Sequence, residues 1–165
     1  MTYMQKITPF LWFEESAEEA IAFYTSVFKD AKVVDKTTLP ENVPGPKGKV
    51  IVATIELLGQ RFMLINGGKQ PGFNTTFSPA TSFVINCEDQ AEVDYYWGKL
   101  PAGGGKTNVC GWLTDKFGLA WQVVPTVLGE LMSGPDKARV QRVSDAMMQM
   151  EKLDIAALEA AAAAG

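Results

Sequence analysis

One order of elements occurs twice along this chain, and the repeat constrains its fold more than any other feature. In the first half, the apolar, β-forming residues 5–13 predict a strand. Apolar side chains then recur at helical spacing from Ser16 to about residue 28. A strand over 31–39 follows, and then a hairpin that turns near Gly59.

Two local signals refine this first half. Glu19 stands three residues after Ser16, which is the spacing of a capping box at the start of a helix. Residues 40–48 contain three prolines and two glycines and predict a loop.

The second half repeats the order of the first. Its predicted elements are a strand over 80–87, a helix over 89–100, a loop over 101–106, and strands over 108–115 and 118–125. A turn at Asp115 to Gly118 joins the last two strands, while one further short strand is not clear from the sequence. Repetition of one supersecondary unit predicts two similar modules in one fold.

The character of the sequence changes at Val127, where short helical segments replace strands. They are predicted over 127–132, 136–150 and 153–165, and Gly134-Pro135 separates the first two. We therefore predict an α+β fold with two fused βαβββ modules, at about 5–66 and 79–125. They form a domain over 1–126, and a C-terminal helical extension covers 127–165.

Composition excludes several classes of function. The chain has 165 residues and a formal net charge of −4, with no cluster of Lys and Arg, so a nucleic-acid partner is not expected. No apolar run approaches the roughly 18 residues of a membrane span. The N-terminus lacks the features of a signal peptide, and the two cysteines suit a reducing compartment, so we expect a cytoplasmic protein. The chain has no histidine, which removes the commonest general base and metal ligand.

Several stretches resemble one known family. They are ITPFLWF (7–13), EEAIAFYTSVF (18–28), GQRFMLINGG (59–68), SFVINCEDQAEVDYYWGKL (82–100) and CGWLTDKFGLAWQVVP (110–125). They resemble the PhnB-like, or 3-demethylubiquinone-9 3-methyltransferase-like, family of the vicinal oxygen chelate superfamily, which has the glyoxalase/bleomycin-resistance/dioxygenase fold. The resemblance covers roughly residues 5–160. It implies that the two modules form an incomplete barrel around a cavity, and that the protein is a homodimer.

The resemblance also implies where metal ligands would lie, on the first and fourth strands of each module. Gln122 falls at one such position, and the others fall near residues 8–9, 64–66 and 81–82. None of these is a histidine or a carboxylate, whereas divalent metals favour imidazole, thiolate or carboxylate ligands. We therefore predict no metal.

The methyltransferase name of the family raises the question of S-adenosylmethionine. A typical enzyme of that class has a Gly-rich turn after the first strand of a doubly wound sheet, but Gly103 to Gly105 follow a helix. The sequence therefore predicts no nucleotide-type cofactor.

Five residues are candidates for ligand binding: Gln122, Trp112, Trp121, Glu56 and Cys110. Gln122 is an amide in an apolar strand, and its neighbours face the opposite way, so it either lines the cavity or bonds to nearby backbone. Trp112 and Trp121 suit either the core or an apolar ligand pocket.

Glu56 alternates with apolar residues, so it is either a cavity carboxylate or part of a solvated strand face. Cys110 is placed on the strand face of Trp112, and without a histidine it is either a small buried residue or an unassisted thiol.

The function expected first is binding of a small organic molecule in an aromatic cavity, without a metal and with Gln122 as the polar anchor. The alternative is a metal-dependent isomerase, lyase or dioxygenase of the same superfamily. A third reading is an interaction module that acts through the Met-rich stripe of the C-terminal helices. Residues 66–78, rich in Gly and polar residues, are either a lid or a linker.

Overall fold

A computed structural model describes residues 5–42 and 48–165 of the chain. The chain divides into two compact units, Met1–Thr75 and Thr76–Gly165. Most of the loop predicted over 40–48 lies outside the described residues. Each unit contains one four-stranded mixed sheet.

The first unit has the predicted order of strand, helix and three strands. Its elements are β1 (Phe10–Phe13), α1 (Ala17–Val27), β2 (Lys32–Thr38), β3 (Val50–Leu57) and β4 (Gln60–Asn66). The strand order is β1-β4-β3-β2, in which β1 and β4 are parallel and the other pairs are antiparallel. The predicted hairpin turns at Gly59, whose φ of 80° lies in the left-handed region that glycine tolerates.

The second unit repeats this order and adds three helices. Its elements are β5 (Ser82–Cys87), α2 (Gln90–Lys99), β6 (Lys106–Thr107), β7 (Trp112–Thr114), β8 (Ala120–Pro125), α3 (Val127–Leu131), α4 (Lys137–Met148) and α5 (Ile155–Ala163). The strand order is β5-β8-β7-β6. The predicted α+β fold of two βαβββ modules followed by helices is confirmed.

Each sheet buries one face and leaves the other partly open, as the two-residue period of a strand requires. In the first sheet Ile55 and Leu64 are fully buried, and α1 contributes the fully buried Tyr24. In the second sheet Trp121 and Val123 are buried, and Val93 on α2 is fully buried. The core of each unit therefore lies between its sheet and its crossover helix, and the functional question concerns the other face.

The three C-terminal helices form a small core of their own. Val143, Leu153 and Leu158 are fully buried, and Met147 and Val124 pack against them. Because Val124 belongs to β8, this extension is joined to the second sheet by apolar contact. No helix in the described part of the chain is long and apolar enough to cross a membrane.

Several local predictions were wrong. The strand predicted over 108–115 is confined to Trp112–Thr114. The first strand is shorter than residues 5–13 and begins at Phe10. The side chain of Ser16 makes no capping hydrogen bond, so the predicted capping box does not form. Instead, Asn66 Oδ1 accepts a hydrogen bond from the backbone N–H of Ala17. Lys106 belongs to the short strand β6 rather than to a loop.

Candidate functional site

The candidate site is built on the open face of the second sheet, which carries Ser82, Val84, Trp112 and Gln122. Trp112 on β7 and Val84 on β5 both lie directly opposite Gln122 on β8, so the three side chains point to one side. Val84 is 49% exposed and lies on β5, an edge strand of this sheet. The open face thus combines an aromatic ring, an aliphatic side chain and an amide.

Gln122 is held in place by a side-chain hydrogen bond. Its Nε2 donates to Ser82 Oγ over 2.9 Å, from one strand to the neighbouring one. The bond occupies one of the two amide hydrogens and leaves the carbonyl oxygen of Gln122 as an acceptor. A ligand on the open face would therefore meet an amide whose orientation is already fixed.

A pocket of about 400 Å³ lies at the β6–β7 side of this face. The open-face residues among its walls are Trp112, Thr114 and Ala120. The rest of the lining is provided by Pro79, Lys106, Thr107, Asn108 and Leu113. Its volume falls within the range of small-molecule sites, and its mixture of apolar and polar walls is typical of them.

Trp121 lies on the other face of the same sheet. It is 3% exposed, its ring centroid is 5.7 Å from that of Phe83, and its indole N–H donates to Asp115 Oδ2 over 2.9 Å. Asp115 is also buried, and its Oδ1 accepts from the backbone N–H groups of Phe117 and Leu119. Asp115 thus caps the turn that was predicted from Asp115 to Gly118, and the structure does not bring Trp121 together with Gln122.

The sequence predicted Cys110 on the strand face of Trp112, and this prediction was wrong. It precedes β7 with a φ of 58°, in the left-handed region that residues other than glycine rarely adopt. Its Sγ lies 3.6 Å from the carbonyl oxygen of Met147 and 3.6 Å from Met148 Sδ. Cys110 therefore faces the C-terminal helices.

The other cysteine, Cys87, is buried. Burial, together with the charges of Glu92 and Asp89, raises the pKa of its thiol to about 12. A thiol of that pKa stays protonated at neutral pH and is a poor nucleophile.

Glu56 lies in the first sheet and is part of an ion-pair network. Its two carboxylate oxygens contact Lys32 Nζ at 2.9 Å and Arg61 Nε at 3.1 Å. Hydrogen bonds from Lys32 and Arg61 lower the pKa of Glu56. A carboxylate engaged on both oxygens by cations is poorly suited to accept a proton as a general base.

Asn66 also lies in the first unit, at one of the metal-ligand positions that the resemblance implies. Its Nδ2 donates to Glu18 Oε2 and to the carbonyl oxygen of Val50, each over 2.9 Å. Its Oδ1 accepts a hydrogen bond from the backbone N–H of Ala17. The amide therefore ties β3, β4 and the start of α1 together.

The donor groups present do not fit a divalent metal. Of the implied positions, Asn66 is committed to backbone and carboxylate partners, and Gln122 and Ser82 bond to each other. In the described ranges 5–42 and 48–165, no three His, Cys, Asp or Glu side chains gather where they could hold a metal ion. Neutral amide and hydroxyl oxygens form a weak ligand set for Mg²⁺, Mn²⁺ or Zn²⁺.

The glycines at 103–105 do not fit a nucleotide-binding turn either. They follow α2 and lead into β6, and a side chain on Gly105 would approach the carbonyl oxygen of Thr114 to 2.3 Å. Gly105 is thus required for close backbone packing at this corner, and no doubly wound parallel sheet occurs among the described residues.

Sequence reasoning missed Lys106, Thr107, Asn108 and Thr114 as pocket residues. Thr114 could have been predicted from the sequence. The turn at Asp115–Gly118 fixes the register of β7 and β8, which places Thr114 opposite Ala120 on the face of Trp112 and Gln122. The signal for Lys106 was masked by the preceding glycines, which favour a loop.

A family model described as 3-demethylubiquinone-9 3-methyltransferase matches residues 5–124. Among solved structures, a Bacillus cereus PhnB protein with the same methyltransferase description is 41% identical, with a TM-score of 0.64. That alignment covers 73% of this chain and 99% of that one. No curated protein matches the chain significantly.

Two more distant structures share the fold. A Pseudomonas aeruginosa protein is 23% identical with a TM-score of 0.56, over 74% of this chain and 98% of its own. An Arabidopsis thaliana gene product is 20% identical with a TM-score of 0.51, over 74% of this chain and 99% of its own. The helices α3 to α5 lie beyond the residues that the family model matches.

Proposed function

This chain belongs to the 3-demethylubiquinone-9 3-methyltransferase family, and from that premise we propose that it binds a small organic molecule on the open face of its second sheet, without a metal ion. The observation that carries the proposal is the pocket of about 400 Å³ beside Trp112. Trp112 lies opposite Gln122, which is already oriented by Ser82. An apolar ring flanked by a few fixed polar groups is the usual design of a small-molecule site.

The roles of the residues follow from their positions. Trp112 lines the pocket and supplies a flat apolar surface. Gln122 does not line the pocket, but it lies opposite Trp112 on the same face and supplies the polar anchor beside it. Trp121 acts indirectly, because it is next to Gln122 on β8 and its ring packs against Phe83 on the covered face of the sheet. Glu56 and Cys110 are left out of the site, since one is paired with two cations and the other faces the C-terminal helices.

The proposal is tested by a fragment screen with the protein kept in EDTA. Ligand-observed NMR would identify binders, and backbone amide shifts in labelled protein would locate them. We expect the largest shifts at residues 82–84, 106–114 and 120–122. Hits that cluster in the first unit or on the C-terminal helices, or a screen with no hits, would overturn the proposal.

A further inference from the structure

The pocket beside Trp112 has an unbalanced charge. Among the described residues that line it, Lys106 is the only ionisable one, and the polar remainder consists of Thr107, Asn108 and Thr114. The whole chain carries a formal net charge of −4, so a cationic pocket is opposite in sign to the protein around it. Hydroxyl and amide groups can donate hydrogen bonds to an anion as readily as they accept them from a cation.

Register places Lys106 and Trp112 on the same face of the sheet. Lys106 lies opposite Thr114, and Thr114 is two residues from Trp112 on the same face. Residues i and i+2 of a strand are about 7 Å apart along its axis. One molecule with a ring and an acidic group can therefore contact Trp112 and Lys106 together.

We propose that the ligand is an aromatic organic anion, with its ring on Trp112 and its acidic group at Lys106. This inference rests on the proposed function and adds the chemical class of the ligand. The ring contributes apolar contact area, and the anion forms a charge-assisted hydrogen bond with the ammonium group.

One carboxylate approaches this pocket from outside its lining. Glu151, in the segment between α4 and α5, accepts a hydrogen bond from Thr107 Oγ1 over 3.3 Å. Its negative charge opposes binding of an anion. The Glu151→Gln variant is therefore expected to bind an anionic ligand more tightly than the wild type.

The test compares 2-naphthoate with its neutral counterpart 2-naphthamide by isothermal titration calorimetry. We expect naphthoate to bind the wild type more tightly than naphthamide. Lys106→Gln should weaken naphthoate about fivefold and leave naphthamide unchanged, as for a partly exposed ion pair. Trp112→Leu should weaken both probes at least about tenfold. Lys137→Gln removes an exposed lysine that does not line the pocket and should change neither affinity.

The outcomes separate the two proposals. Equal affinity for both probes, with no effect of Lys106→Gln, would overturn the anionic class but preserve the site if Trp112→Leu still weakens binding. Binding that survives Trp112→Leu would overturn both. Failure of both probes to bind at millimolar concentration would also overturn both.

Discussion

At the scale of single residues, the side chains at the implied metal-ligand positions form hydrogen bonds that hold the fold together. Asn66 joins two strands to the start of α1, and Gln122 bonds to Ser82 across β5 and β8. The sequence predicted that Gln122 and Trp121 face opposite ways, because strand residues alternate. It did not predict the partners of Asn66, because they are 16 to 49 residues away along the chain.

The Asn66 network makes a prediction about acid stability. Burial acts to raise the pKa of Glu18, but hydrogen bonds from Asn66 and the Val50 backbone, with the charge of Lys49, lower it overall. A carboxyl with a lowered pKa in the folded state stabilises the protein above its ordinary pKa near 4.5. That contribution is lost as the pH falls through the lowered value.

We therefore expect the wild type to lose stability more steeply than Glu18→Gln as the pH falls below 5. Urea unfolding at pH 7, 5, 4 and 3 would measure the difference. Glu15→Gln removes a neighbouring carboxylate outside this network and should behave like the wild type. Identical pH profiles for Glu18→Gln and the wild type would contradict this account of the network.

At the scale of elements, long periodic segments were predictable and the contacts at their ends were not. The helix α1 and the hairpin at Gly59 followed from local pattern and turn chemistry. The strand β6 has two residues, too few to show a period. The left-handed backbone at Cys110 delays the start of β7 to Trp112. The cause lies in the extension, because Cys110 and Gly111 donate backbone hydrogen bonds to the carbonyl oxygens of Met150 and Glu151.

The attachment of the C-terminal extension gives a prediction at this scale. Leu153 is fully buried among Val143 and Leu158, and its side chain lies against Gly111. We expect Leu153→Ala to lower the free energy of unfolding by about 3 kcal/mol through lost burial and a cavity. Hydrogen exchange of the Cys110 and Gly111 amides should also accelerate, because their acceptors, the carbonyl oxygens of Met150 and Glu151, closely precede Leu153 in the chain.

The matched control is Met148→Ala, in the same extension but 56% exposed. It should lower the free energy of unfolding by less than about 1 kcal/mol. Equal losses for the two variants, or unchanged amide exchange in Leu153→Ala, would show that the extension does not support the start of β7.

At the scale of the whole molecule, the fold and the family follow from the repeat and the quoted stretches, but the ligand does not. One face of each sheet is buried by a helix, so pattern alone predicts the core. The chemistry of the open face depends on which side chains the strand register places together, such as Lys106 and Trp112. The homodimer that the resemblance implies stays a prediction, as do the domain boundary at residue 126 and the cytoplasmic location.

The central claim is that an organic ligand binds the Trp112 pocket without a metal. Calorimetric titration of 2-naphthoate into EDTA-treated protein, and into portions equilibrated with Mg²⁺, Mn²⁺, Ni²⁺ or Zn²⁺, tests it most directly. We predict saturable binding in EDTA and the same Kd after each metal, because amide and hydroxyl groups form the site. Binding that appears only with a metal, and is lost in Gln122→Ala, would contradict the claim and favour the metal-dependent alternative.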